Sequence, residues 1–162
     1  MQKISPFLWF DNQAEEAANL YVSIFRNAKI TSVSRYGAEG AEASGMPEGT
    51  VMTIGFDLDG QQFTAINGGP MFKFTEAVSF VVSCENQEEV DHLWDSLTAD
   101  GGQESQCGWL KDKFGLSWQI IPKGLGQMMS DPDPAKSGRV MQAMLQMHKI
   151  DIAKLKEAYQ QV

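Results

Sequence analysis

The spacing of apolar and polar positions changes along this chain in an order that marks out its elements. Residues 4–10 are a short aromatic run stopped by Asp11 and Asn12, which predicts a mostly buried strand. Over 13–25 the period lengthens: Ala14, Ala17, Tyr21, Ile24 and Phe25 share a helical face, and Glu15 and Glu16 suit its first turn. Residues 29–36 alternate as a strand. The stretch 37–49, rich in glycine and small residues, reads as a mobile loop able to act as a lid. Runs 50–58 and 61–67 form a hairpin turned at Asp59-Gly60. After the Asn67-Gly-Gly-Pro70 break come a strand at 77–83 and a helix at 86–98 whose apolar face is Val90, Leu93, Trp94 and Leu97. One strand over 103–111 and another over 116–121 close the series. Beyond it, Asp133-Pro134 starts a helix with Val140, Met141, Met144, Leu145 and His148 along one side. Asp151 caps a last helix presenting Ile152, Leu155, Tyr159 and Val162.

The two series of elements are copies of each other. Glu15-Glu16-x-x-x-Leu20-Tyr21-x-Ser23-Ile24 returns as Glu88-Glu89-x-x-x-Leu93-Trp94-x-Ser96-Leu97, a displacement of 73 that also lays Phe7 on Phe80. Asp57, Gly60, Phe63 and Thr64 match Asp112, Gly115, Trp118 and Gln119 at a displacement of 55. The expected fold is α+β: two pseudo-symmetric βαβββ modules, 1–69 and 70–122, in one domain, followed by a helical extension over 123–162. A duplicated unit buries a shared core and places a site on its internal symmetry axis. The extension, with methionines at 128, 129, 141, 144 and 147, reads as a packing or dimer surface.

Composition narrows the function. With 43% hydrophobic residues in 162, the chain can bury a core. A net charge of −8 repels phosphate backbones, so nucleic acid is an unsuitable partner. Cys84 and Cys107 form neither a CxxC motif nor a disulfide framework, which suits a reducing cytoplasm. Residues 4–10 are too short for the apolar core of a signal peptide, and no run reaches a membrane span. His92 and His148 lie on helical stretches with no HxH or HxxxH partner, and Cys107 has no histidine near it in sequence. Packing or surface roles fit all three.

Several stretches resemble a known family: Pro6-Phe-Leu-Trp-Phe-Asp-Asn12, Ala65-Ile-Asn-Gly-Gly-Pro70, the run from Cys107 to Pro122, and the tail Met147-His-Lys-Ile-Asp-Ile-Ala153. They are similar to the PhnB-like branch of the glyoxalase/bleomycin-resistance (vicinal-oxygen-chelate) superfamily, a branch that carries the label 3-demethylubiquinone-9 3-methyltransferase. The resemblance implies that each module curls a sheet into a cup and that the two cups form a pocket. It implies metal ligands on the first and last strands of each module, which here would be Pro6, Thr64, Ser79 and Gln119. Proline offers no side-chain ligand, and Ser, Thr and Gln are poor ligands for Zn, Ni, Mn or Fe, so neither a metal nor another cofactor is expected. If Pro6 faces the cup, Leu8 and Phe10 line it too, and Ser117 joins Gln119 on the inner face. The expected ligand-binding residues are therefore Gln119, Ser79, Thr64, Leu8, Phe10 and Ser117.

The reading this favours is metal-independent binding, or sequestration, of a small apolar, aromatic or cationic molecule by a homodimer. The alternatives are a vicinal-oxygen-chelate lyase, isomerase or dioxygenase, the named quinone methyltransferase, or a structural dimer whose pocket is filled by Leu8, Phe10 and loop 37–49. The S-adenosylmethionine reading lacks the GxGxxG turn of the common methyltransferase fold, since Asn67-Gly-Gly-Pro70 leads into proline rather than a helix.

Overall fold

A computed structural model describes residues 2–161. The chain divides into two units, Met1–Phe74 and Thr75–Val162. In the first, β1 (Phe7–Phe10), β2 (Ala28–Arg35), β3 (Val51–Leu58) and β4 (Gln61–Asn67) form an open sheet in the order β1-β4-β3-β2. β1 runs parallel to β4 and the other pairs are antiparallel. The crossover from β1 to β2 is α1 (Ala14–Ile24).

α1 lies flat on this sheet because its inner stripe, Ala14, Ala17 and Ala18, is small and fully buried. Tyr21 then reaches the Phe56 ring, at 6.0 Å between centroids, and Phe56 stacks on Phe63 at 5.2 Å. Alternation from Phe63 gives Ala65 and Asn67 to the same face, and their β1 partners are Leu8 and Phe10. These residues form the core of the first unit. Burial of each large side chain among them stabilises it by roughly 1.5–3 kcal/mol.

The second unit repeats the plan. β5 (Ser79–Cys84), β6 (Gln103–Glu104), β7 (Trp109–Lys111) and β8 (Ser117–Pro122) take the order β5-β8-β7-β6, with α3 (Gln87–Thr98) as the crossover helix. Val90, Leu93, Trp94 and Leu97 of α3 are buried, as the helical spacing predicts, and so are Leu110, Trp118 and Ile120 of the sheet. Residues 103–111 form two strands rather than one. Cys107 and Gly108 both adopt positive φ, 59° and 84°, and turn the chain so that Gln103 pairs with Lys111.

Two further differences from the expected elements stand out. The stretch 37–49 contains a helix, α2 (Ala38–Ser44), ended by Gly45 at φ 76°. The extension carries a short helix, α4 (Leu125–Met129), before α5 (Pro134–Leu145) and α6 (Ile152–Gln160). Asp133 and Asp151 cap α5 and α6 as expected, accepting from Ala135 N and Lys154 N. Leu125, Val140, Met147, Ile150 and Leu155 make a small core of their own, lined by Met128, Met129 and Met144. Met141 and Leu145 instead face outward, because α5 ends at Leu145 and the chain turns before His148. Val162 lies outside the described residues.

Within the second unit the extension is tied to the β6–β7 turn by main-chain bonds. Cys107 N donates to Met147 O and Gly108 N to His148 O, both at 2.8 Å. Gln87 adds a two-sided clasp, donating to Ile150 O and accepting from Ile152 N.

Candidate functional site

Each sheet has one face under its helix and one face opposite. The strand register decides which residues occupy which. Phe7 stands beside Thr64 on β4, and Val81 stands beside Gln119 on β8. The first strands are therefore related by a displacement of 74, whereas the helices keep 73. The missing residue is in the connection: residues 11–13 join β1 to α1, but only Glu85 and Asn86 join β5 to α3.

This offset corrects two expectations. Leu8 and Phe10 do not share a face with Thr64; they lie under α1, 7% and 3% exposed, and Phe10 packs edge-on against Phe74 at 5.1 Å. They are core residues, and the face opposite α1 carries Phe7, Trp9, Thr64 and Ile66 instead. The offset also makes Ser5, not Pro6, the counterpart of Ser79.

On the first sheet's opposite face, Trp9 donates from Nε1 to Gly69 O at 2.9 Å and meets the Phe72 ring edge-on at 4.9 Å. A Cβ on Gly68 would stand 2.3 Å from the Trp9 ring, so only glycine allows this approach. Phe7 is 61% exposed. Thr64 is half-buried beside it.

On the second sheet the expected polar residues do come together. Ser79, Ser117 and Lys111 form one row across β5, β8 and β7, and Val81, Gln119 and Trp109 form the next. Gln119 Nε2 donates to Ser79 Oγ at 2.9 Å. Ser117 is buried, and its Oγ has no hydrogen-bond partner among the described residues. Lys111 makes a close ion pair with Glu76, whose carboxyl is held below the usual carboxylate range by the lysine's hydrogen bond. Val81 is 61% exposed, like its counterpart Phe7.

A third row, Ser83 and Ile121, runs into a cleft of about 680 Å³ that sequence reasoning did not foresee. Its far wall is Leu125 and Met128 of α4 and Ile152 and Lys156 of α6. The extension thus contributes to a cavity as well as to packing. Its methionines were visible in the sequence, but nothing local announced that α4 would stand at the end of β8.

With the register corrected, Ser5, which precedes β1, takes the place of Pro6, and Thr64 on β4, Ser79 on β5 and Gln119 on β8 keep theirs. Three hydroxyls and an amide do not fit a transition-metal ion. Among the described residues no group of three or more His, Cys, Asp or Glu is placed to hold one. His148 lies beside the extension's anchor, its Nδ1 2.9 Å from Ser105 O. Burial pushes the Cys84 thiol up to about 12, which removes it as a nucleophile. Asp112 is 3% exposed but saturated: Oδ1 accepts from Phe114 N and Leu116 N, and Oδ2 from Trp118 Nε1. It organises the β7–β8 turn.

The family described as 3-demethylubiquinone-9 3-methyltransferase matches residues 2–121. The chain belongs to this family. A PhnB protein from Bacillus cereus, named for the same methyltransferase, is 39% identical, with 75% of this chain and 99% of that one covered and a TM-score of 0.67. Protein PA1353 from Pseudomonas aeruginosa shares the fold at 17% identity, covering 76% and 98%, with a TM-score of 0.61. So does the fosfomycin resistance protein FosX from Listeria monocytogenes, solved with Mn(II) and sulfate, at 16% identity, covering 80% and 96%, with a TM-score of 0.51. Comparison with curated proteins gives no match. The family match ends at residue 121, so α4, α5 and α6 lie outside it.

Proposed function

We propose that this chain binds a small apolar, aromatic or cationic molecule without a metal, on the sheet faces opposite the helices. The observation that carries this reading is the β5–β8–β7 face. It presents the exposed Val81 and half-buried Trp109 around a Gln119–Ser79 hydrogen bond, and runs into a cleft of about 680 Å³. Such an apolar surface with a few fixed polar groups is the usual makeup of a ligand site. The hydroxyl and amide side chains orient a ligand by hydrogen bonding, and none of them offers the charge a metal needs.

The molecule acts as a homodimer in the cytoplasm on this reading. Phe7 and Val81 occupy equivalent positions and are equally exposed, which favours burial of such residues against a second copy. The family's description names methyl transfer to 3-demethylubiquinone-9; this remains the rival reading, carried by the name.

Thermal shifts discriminate the two. Aromatic amines and neutral aromatics are expected to raise the Tm of wild-type protein, and Val81→Glu to abolish the shift. Zn, Ni, Mn and Fe, and S-adenosylmethionine, are expected to produce none. A near-stoichiometric metal in protein purified without chelator, or stabilisation by S-adenosylmethionine alone, would overturn the proposal. Light scattering tests the dimer, which Phe7→Glu should weaken.

A further inference from the structure

We propose that Ser117 and Lys111 form a subsite for the phenolate or enolate oxygen of an aromatic ligand whose ring lies over Val81 and Trp109. This rests on the binding reading above and narrows it to one ligand class. Ser117 is 1% exposed and its hydroxyl has no partner among the described residues, a rare condition because an unpaired buried hydroxyl destabilises the fold. Its neighbours in the row are Lys111 and Ser79. Lys111 can only donate, and Ser79 Oγ already accepts from Gln119. The row therefore presents donors and calls for an acceptor.

The acceptor Lys111 now holds comes from outside the sheet. Glu76 belongs to the turn before β5, and its side chain is 57% exposed. It occupies the ammonium as an internal stand-in for an anionic oxygen, and can swing into solvent when a ligand's oxygen arrives. The next row supplies the body of the site: Val81, 61% exposed, and Trp109 flank Gln119. Successive rows on one face lie about 6.6 Å apart, the reach of one aromatic ring and the oxygen it carries. At this end of the face a phenolate gains a charge-assisted hydrogen bond from Lys111.

The test uses 4-nitrophenolate and 4-nitroanisole, which share a ring but differ in whether the oxygen can be anionic. Calorimetric titration of the wild-type chain should show tighter binding of the phenolate. Ser117→Ala should weaken it by about tenfold, as for loss of one hydrogen bond to a charged group. Lys111→Gln should weaken it further, and Glu76→Gln should tighten it by freeing the ammonium. None of the three should alter nitroanisole binding. Ser117→Ala should also raise the Tm of the ligand-free chain, because it removes an unpaired polar atom. Equal affinities for both probes, unaffected by Ser117→Ala, would overturn the subsite and leave the binding reading standing. Binding of neither probe would overturn both. A lower Tm for Ser117→Ala would also overturn the subsite, since the hydroxyl would then have a partner within the fold.

Discussion

The two modules start their crossover helices in different ways, and the difference shows how far a duplicated sequence can diverge inside one topology. α3 is capped by its own neighbours. Asn86 accepts from Glu89 N at 2.9 Å, and Glu89 Oε2 accepts from Glu85 N at 2.9 Å, a capping-box arrangement that reaches back to the residue before the N-cap. α1 has Gln13 at the same place, and that side chain caps nothing. Its first amide, Ala14 N, is instead satisfied by Asn67 Oδ1 at 2.8 Å, from the end of β4. The counterpart of Asn67 at the end of β8 is Pro122, whose ring can neither accept nor donate. Each module satisfies an orphan amide of its helix's first turn, one through a local motif and the other through a strand distant in sequence.

The largest test of this contrast is Asn67→Ala. Asn67 is buried, its Nδ2 donates to Val51 O at 3.0 Å, and its own carbonyl accepts from Tyr36 Oη at 2.6 Å. Alanine would leave Ala14 N and Val51 O unpaired away from water, at a cost of about 3 kcal/mol. Urea unfolding should show the loss; a loss below about 1 kcal/mol would mean that water replaces the side chain.

Next in size is an effect confined to the second unit, which contains both cysteines. Cys84 takes the place on β5 that Phe10 takes on β1, fully buried in each case. Burial raises the folded-state thiol from 9.0 to about 12. The unfolded chain therefore releases this proton first, and the stabilisation present below pH 9.0 is lost as pH rises toward 12. At about pH 10 the loss amounts to about 1.4 kcal/mol. Comparing wild type with Cys84→Val between neutral pH and that point isolates the thiol from the lysines and tyrosines titrating alongside it. Parallel stability curves for the two proteins would remove the effect.

Asn86→Ala comes third, at about 1 kcal/mol, the usual cost of a lost N-cap. Glu89 keeps its bond to Glu85 N in this variant, so the box is half-dismantled rather than abolished. Unfolding midpoints should place it well above Asn67→Ala in stability. The reverse order would mean that the long-range cap contributes less than the local one.

These two caps also mark what the sequence could and could not convey. Asn86-x-x-Glu89 before an apolar helical face is a local pattern, and the limits of α3 follow from it. Asn67 gives no such sign, because its role exists only once β4 lies beside β1. The faces of the strands divide the same way. Alternation on β8 groups Gln119 with Ser117 without reference to any other strand. The helix displacement of 73 inverts the faces of β1, because the connection between strand and helix differs by one residue and a one-residue slip exchanges every side chain. Thr64, Ser79, Ser117 and Gln119 stand opposite the helices, while Leu8 and Phe10 lie under α1. The cleft beside α4 was illegible for a different reason: its walls come from separate elements of the extension and the sheet.

The smallest effect concerns the element that one module has and the other lacks. Between β2 and β3 the first unit inserts α2, and none of its residues is buried. At the matching place the second unit has only the turn 105–108. The insertion is fixed at its base rather than along its length. Tyr36 N donates to Thr50 O, Gly49 N to Tyr36 O, and the Arg35 guanidinium to Gly49 O. Replacing residues 38–44 by a Gly-Ser linker keeps all of these bonds and removes little beyond the approach of Gly40 to the buried Tyr36 ring, so stability should change by less than about 0.5 kcal/mol. Folding being intact, the same variant reports on closure. A changed affinity for 4-nitrophenolate would assign α2 to covering the ligand, and an unchanged one would leave it a surface insertion. A large loss of stability would contradict its exposure and show that the first sheet depends on the one element its copy does without.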